Sequence, residues 1–75
     1  MEPYRNLSGN SGVEAFEIHD ESIVVRFSGG PTYEYDYVQS GRVHVEQMKR
    51  LARAGRGLST YISQHVRGAF ARKAP

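Results

Sequence analysis

One short stretch of the chain, residues 32–38, alternates strictly between tyrosine and other residues, and this pattern constrains the fold more than any other feature. Tyrosine occupies positions 33, 35 and 37, and the two positions between them are the acidic residues Glu34 and Asp36. Successive side chains of a β-strand point to opposite faces of the sheet, so the pattern predicts a strand with one aromatic and one acidic face. The chain is therefore expected to contain a sheet with one buried face.

Two further strands are predicted upstream, over Val13–Ile18 and Ile23–Phe27, because apolar residues are enriched or alternate in both segments. A four-residue loop over 19–22 would pair Ile18 with Ile23 and keep the apolar residues of both strands on one face. The three predicted strands then form an antiparallel meander.

The loop between the second and third predicted strands sets their register. A three-residue loop, Gly29–Pro31, would place Val25 opposite Tyr35 on the apolar face and Arg26 opposite Glu34 on the polar face. A two-residue loop would mix apolar and charged residues on each face. The three-residue loop is therefore the favoured interpretation.

Beyond the strands the apolar spacing becomes helical. Ser40 is the predicted N-cap of a first helix that runs to Ala54, and Gly55 suits the position just after its C-terminus. Ser59 is the predicted N-cap of a second helix over Thr60–Phe70. Both helices have an apolar stripe, and only the aromatic sheet face can cover it, which predicts an α+β domain with the element order β-β-β-α-α.

The 75-residue length allows one small domain. Its boundaries are predicted at residues 13 and 70, with a flexible lead over 1–12 and a flexible tail over 71–75. The tyrosine row is expected to form the core beneath the helices; the alternative is an exposed platform on which single-stranded bases stack.

Several classes of function are not expected from the composition. The chain has no cysteine, no apolar run long enough to span a membrane and no secretory signal at its start, so a cytoplasmic protein is expected. It has no Walker, Gly-x-Ser-x-Gly or His-Glu-x-x-His motif, so neither an enzyme nor a cofactor is expected. His44 and His65 are interpreted as structural because no third metal ligand is suitably spaced.

Charge is distributed unevenly along the chain. Residues 1–46 contain all eight acidic residues and three basic ones, whereas residues 47–75 contain seven basic residues and no acidic ones. An acidic half followed by a basic half points to an anionic partner for the second half. Alternatively, the arginines keep a small domain soluble and the two halves attract each other.

The most specific basic feature is Arg56, which stands between Gly55 and Gly57 just before the second predicted helix. Backbone without side chains can approach a phosphate closely, and a helix N-terminus attracts anions. The other interpretation is that the glycines only permit a tight turn. The residues predicted to bind nucleic acid are Lys49, Arg50, Arg53, Arg56, Ser59, Thr60 and Arg67.

The order of these features also matches a known family. The matching residues are Ser11, Val13, Phe16, Ile18, Asp20, Ile23, Val25, Phe27, Gly29, Gly30, Tyr33, Glu34, Tyr35, Gly55, Leu58, Ser59 and Ile62. Over about Ser11–Phe70 the chain resembles the KTSC domain, a short module named after the C-terminus of some lysyl-tRNA synthetases that also occurs as a stand-alone bacterial protein. It departs from the family pattern at His19 and Gln39, where Tyr and Pro are usual, and Ser59 replaces a usual Asn that could serve as the same cap. The resemblance implies this fold and a suggested role in RNA binding, with no established activity.

The sequence thus favours an accessory module that holds the phosphate backbone of RNA, either tRNA-like or single-stranded, without strong sequence preference. The basic helix face and the Gly-Arg-Gly turn would carry the binding. The alternative from another class is a protein-interaction module that docks on an acidic partner surface. Neither a metal nor a membrane is expected to take part.

Overall fold

A five-stranded antiparallel sheet and two helices make up the fold of the described residues, 1–9 and 11–74, in the computed structural model. The strands are β1 (Glu2–Pro3), β2 (Val13–His19), β3 (Ser22–Phe27), β4 (Thr32–Asp36) and β5 (Arg72–Ala74), in that order across the sheet. The helices are α1 (Arg42–Ala54) and α2 (Leu58–Tyr61), and α2 continues into a π-helical segment, Ile62–Val66. The α+β class is as predicted, but the sheet has two strands more than the predicted meander.

Both additional strands come from the ends of the chain, which were expected to lie outside the domain. Pro3 of β1 pairs with Ala15 of β2, and Arg72 of β5 pairs with Glu34 of β4. Strands of two or three residues are too short to show an alternating pattern, so the sequence did not indicate them. They cover part of the backbone that β2 and β4 would otherwise expose at the sheet edges.

Strands β2 and β3 pair in the predicted register, with Ile18 opposite Ile23. The β3–β4 register differs from the prediction by two residues, because Ile23 rather than Val25 lies opposite Tyr35. The loop consists of residues 28–30 and not 29–31, and Gly29 adopts the positive φ of 66° that this turn requires. A shift by two residues leaves every side chain on the predicted face.

The ion pairs of the outer sheet face change with this register. The predicted pair between Arg26 and Glu34 does not form. The Nε of Arg26 instead donates to Glu14 Oε1 at 3.1 Å. Glu34 instead accepts from Arg72 Nε at 3.0 Å, a contact that the unforeseen strand β5 makes possible. Both pairs are exposed to solvent and so contribute little to the free energy of unfolding.

The helices cover the aromatic face of the sheet, as the apolar stripes predicted. Tyr35 is 1% exposed at the centre of this core, which confirms the interpretation of that tyrosine as buried. Tyr33 and Tyr37 are only partly buried at the margins. The other buried hydrophobic residues are Tyr4, Val13, Ala15, Phe16, Ile23, Val25, Val45, Met48, Ala52, Leu58, Ile62 and Val66.

Helix α1 ends where predicted and begins with a different cap. Gly55 closes it in the left-handed conformation, with its N–H directed to the carbonyls of Leu51 and Ala52. The N-cap is Gly41, and the Ser40 hydroxyl instead donates to the backbone carbonyl of Ala69. Ser40 therefore ties the start of α1 to the segment that follows the second helix.

The second helix begins earlier and is shorter than predicted. Its N-cap is Gly57, at a φ of 80°, so Ser59 lies inside the first turn and makes no side-chain cap. The N–H of Leu58 is directed at the hydroxyl of the buried Tyr4, 3.3 Å away. The first N–H groups of a helix have no acceptor within the helix, and here a tyrosine more than fifty residues upstream accepts the hydrogen bond of one of them.

Replacing Tyr35 by alanine is expected to lower the free energy of unfolding by about 3–5 kcal/mol, because it removes a fully buried aromatic ring. Chemical denaturation of the two proteins measures this difference. Tyr35→Phe keeps the ring and is the matched control. An alanine variant as stable as the parent would contradict the central position of Tyr35.

The same residue predicts a loss of stability in alkali. Burial raises the pKa of Tyr35 from 10.0 to about 12, and the neighbouring Tyr33 adds to the shift. The unfolded chain therefore releases this proton at a lower pH than the folded protein, so the contribution of Tyr35 is complete below pH 10 and is lost toward pH 12. We expect the unfolding free energy to fall more steeply over this window in the parent than in Tyr35→Phe. Equal slopes would contradict the prediction.

The helix caps predict effects of different size for two hydroxyls. Tyr4→Phe removes the acceptor for Leu58 N–H and should lower the unfolding free energy by about 1 kcal/mol. Ser59→Ala should change it by less than about 0.5 kcal/mol, because Ser59 caps nothing. Thermal unfolding of both variants tests the pair, and a larger effect for Ser59→Ala would restore Ser59 as the cap.

Candidate nucleic-acid interface

The turn between α1 and α2 is built against the N-terminal segment of the chain. Leu7 N–H donates to the Gly55 carbonyl at 2.7 Å, and the Arg5 guanidinium donates to the backbone carbonyl of Arg53. A Cβ on Gly55 would lie 2.9 Å from the Arg5 Cβ, closer than two carbons can approach. Glycine is therefore required at position 55 both for its φ of 76° and for the space that Arg5 occupies.

This packing places the exposed Arg5 beside the C-terminal end of α1 and the following turn, which carry three further exposed arginines. The arginine corner consists of Arg5, Arg50, Arg53 and Arg56. Within the described part of the chain, none of them forms an ion pair with a carboxylate. Three of these were predicted from the sequence. Arg5 was missed, because only the tertiary structure places it beside residues about fifty positions away.

A small polar cavity lies at the same turn. Its volume is about 180 Å³, and it is lined by Ser8, Ser11, Gly57, Ser59 and Thr60. Hydroxyl groups can donate to phosphate oxygens, and Gly57 leaves the backbone accessible. Ser59 and Thr60 were predicted to belong to this site, whereas Ser8 and Ser11 come from the segment expected to be flexible.

Lys49, which was predicted to lie on the basic surface, is buried on the other side of α1. Its Nζ donates to the Asp20 carbonyl and lies 2.8 Å from both that oxygen and Glu46 Oε2. The Tyr37 hydroxyl donates to the same carboxylate at 2.7 Å. Helical spacing could not show that the β2–β3 loop, which carries Asp20, covers this side of the helix.

The environment of Glu46 reflects these contacts. The ammonium of Lys49 and then the hydroxyl of Tyr37 hold the pKa of the Glu46 carboxyl below its usual range. The charge of Lys49 is thus compensated within the protein, and this lysine offers no free cation to a phosphate.

Arg67 lies apart from the arginine corner, on a second cavity of about 250 Å³ between the sheet and the second helix. The residues that line this aromatic cavity include Phe27, Tyr33, Ser59, Ile62, Ser63 and Arg67. Ser59 lines both cavities, so the structure places the two side by side.

The two histidines of the helices form a small cluster with Tyr61. His44 Nδ1 lies 2.7 Å from the Tyr61 hydroxyl, and the rings of His44 and His65 stack at 5.4 Å. Ring nitrogens donate their lone pairs in the ring plane, so stacked rings do not converge on one ion. Across residues 1–9 and 11–74, no group of three or more metal-ligating side chains comes together, and no helix is long and apolar enough to cross a membrane.

The chain was compared with protein-family models, with curated proteins and with solved structures, and no match was found. The resemblance to the KTSC domain stays a prediction from the sequence. The role of the arginine corner must therefore be inferred from its own charge, shape and chemistry.

Proposed function

We propose that this protein binds RNA through the sugar–phosphate backbone, at the arginine corner and the polar cavity beside it. The observation that carries the proposal is the convergence of four exposed arginines from two distant segments without a carboxylate partner among the described residues. Guanidinium groups donate two parallel hydrogen bonds to a phosphate, which makes arginine well suited to this contact.

The distribution of acidic residues supports this surface over the others. On strands β2 and β4, the carboxylates of Glu14 and Glu34 pair with the guanidinium groups of Arg26 and Arg72. The charge of these two arginines is compensated locally, so the sheet offers no excess of positive charge to a polyanion. The excess is concentrated at the arginine corner, where it would attract a phosphate chain.

The side chains at this corner favour recognition of the RNA backbone. Arginine and serine side chains hold phosphates and sugars but carry little information on base sequence when they meet the backbone alone. The proposal is therefore an accessory RNA-binding module with weak sequence preference. The suggested role of the KTSC domain, which the sequence resembles, agrees with it.

Reversing the charge at the corner is expected to abolish binding. Arg53→Glu combined with Arg56→Glu should reduce the affinity for a short single-stranded RNA to an undetectable level, as measured by fluorescence anisotropy. Arg42→Glu combined with Arg26→Glu changes the net charge equally at exposed sites away from the corner and should retain most of the affinity. Circular dichroism confirms that each variant is folded.

Two further measurements separate the corner from nonspecific charge. Arg53→Gln with Arg56→Gln should also weaken binding. Unlike glutamate, glutamine places no negative charge at the C-terminus of α1, where such a charge would interact unfavourably with the helix dipole. In a plot of the logarithm of the parent's binding constant against the logarithm of the salt concentration, the slope should be about −0.7 for each phosphate contacted. Equal loss in both charge-reversed variants would contradict the site. No binding by the parent would contradict RNA binding and favour an acidic protein partner.

A further inference from the structure

The aromatic cavity next to Ser59 has a composition that phosphate contacts alone do not explain. Phe27, Tyr33 and Ile62 give it an apolar wall, and Ser59, Ser63 and Arg67 add polar groups. Most of the sheet's aromatic face is closed by the helices, but Phe27 and Tyr33 stay partly exposed here. An aromatic surface left open beside a free cation suits a planar ligand that carries a negative charge.

We propose that this cavity receives one unpaired base of the RNA strand whose phosphates lie on the arginine corner. The inference rests on the proposed function and adds a second contact to it. The cavity volume of about 250 Å³ lies below the range typical of sites for drug-sized molecules, so it suits a single ring system.

The aromatic wall is held rigidly. Tyr33 packs edge to face against Phe27 at 5.6 Å and against Phe70 at 4.8 Å. A ring fixed from two sides loses little conformational freedom when a base stacks on it, and every base has a π-face that such a ring can contact. The wall is therefore preorganised for stacking without selecting one base.

The polar side of the cavity provides for the rest of the nucleotide. Ser59 and Ser63 bring hydroxyls that can meet the edges of a base or a ribose. Arg67 is exposed and, within residues 1–9 and 11–74, has no carboxylate partner. A phosphate adjoining the bound base would compensate this charge.

The position of Ser59 connects this cavity with the proposed phosphate site. Ser59 lines both the polar cavity at the turn and the aromatic cavity. One strand can therefore leave its backbone at the arginine corner and turn a base toward Tyr33. The aromatic cavity also adjoins the start of the π-helical segment, which supplies Ile62 and Ser63. Turns of π-helix occur frequently at functional sites.

The experiment compares a uridine decamer with an abasic oligomer of the same length and charge. Fluorescence anisotropy should show that the parent binds the uridine decamer about tenfold more tightly, the effect expected when one base stacks on an aromatic side chain. Ser63→Phe fills the cavity from an exposed position and should remove this preference, so that the variant binds the two oligomers with equal affinity. Gln64→Phe, the neighbouring exposed position that does not line the cavity, should keep the preference.

The outcomes separate the two proposals. Equal binding of both oligomers by the parent would overturn the base site and leave phosphate binding intact. A preference that survives in Ser63→Phe would also overturn it, because the base would then lie elsewhere. If the parent bound neither oligomer, RNA binding itself would fail, and the base site with it.

Discussion

The contact between the N-terminal segment and Gly55 is the constraint on which the rest of the structure depends. A residue with a side chain would be strained in the left-handed conformation that ends α1 and would leave no room for Arg5. Once the segment is seated there, Tyr4 enters the core, its hydroxyl meets the N-terminus of α2, and β1 joins the sheet edge. The absence of a side chain at position 55 thus allows the N-terminal segment to pack against the turn between α1 and α2.

The same contact decides where positive charge is left uncompensated. At the far side of α1, Lys49 is held by Glu46 and the Asp20 carbonyl, and on the outer sheet face the basic residues pair with neighbouring acids. Among the described residues, no arginine of the corner has a carboxylate partner. Because buried or paired charges are not free to bind phosphate, the tertiary structure selects from the many basic residues the few that carry the proposed function.

Part of this arrangement could be predicted from local pattern. The tyrosine alternation predicted the buried face of the sheet, and the loop between β2 and β3 predicted their register correctly. Gly55 was predicted as the end of α1. The predicted β3–β4 register was wrong by two residues, because loops over 28–30 and 29–31 place the same residues on the same faces and only packing distinguishes them.

What the sequence by itself determined is the set of features that depend on near neighbours: the α+β class, the apolar face of each central strand, the C-terminal end of α1 and the basic character of the second half. The tertiary structure alone decided the features that join distant segments. These are the edge strands β1 and β5, the cap of α2 by Tyr4, the burial of Lys49 and the place of Arg5 in the arginine corner. The physical reason is that periodicity reports which side of an element is apolar, whereas the partner that covers that side is chosen by packing across the whole chain.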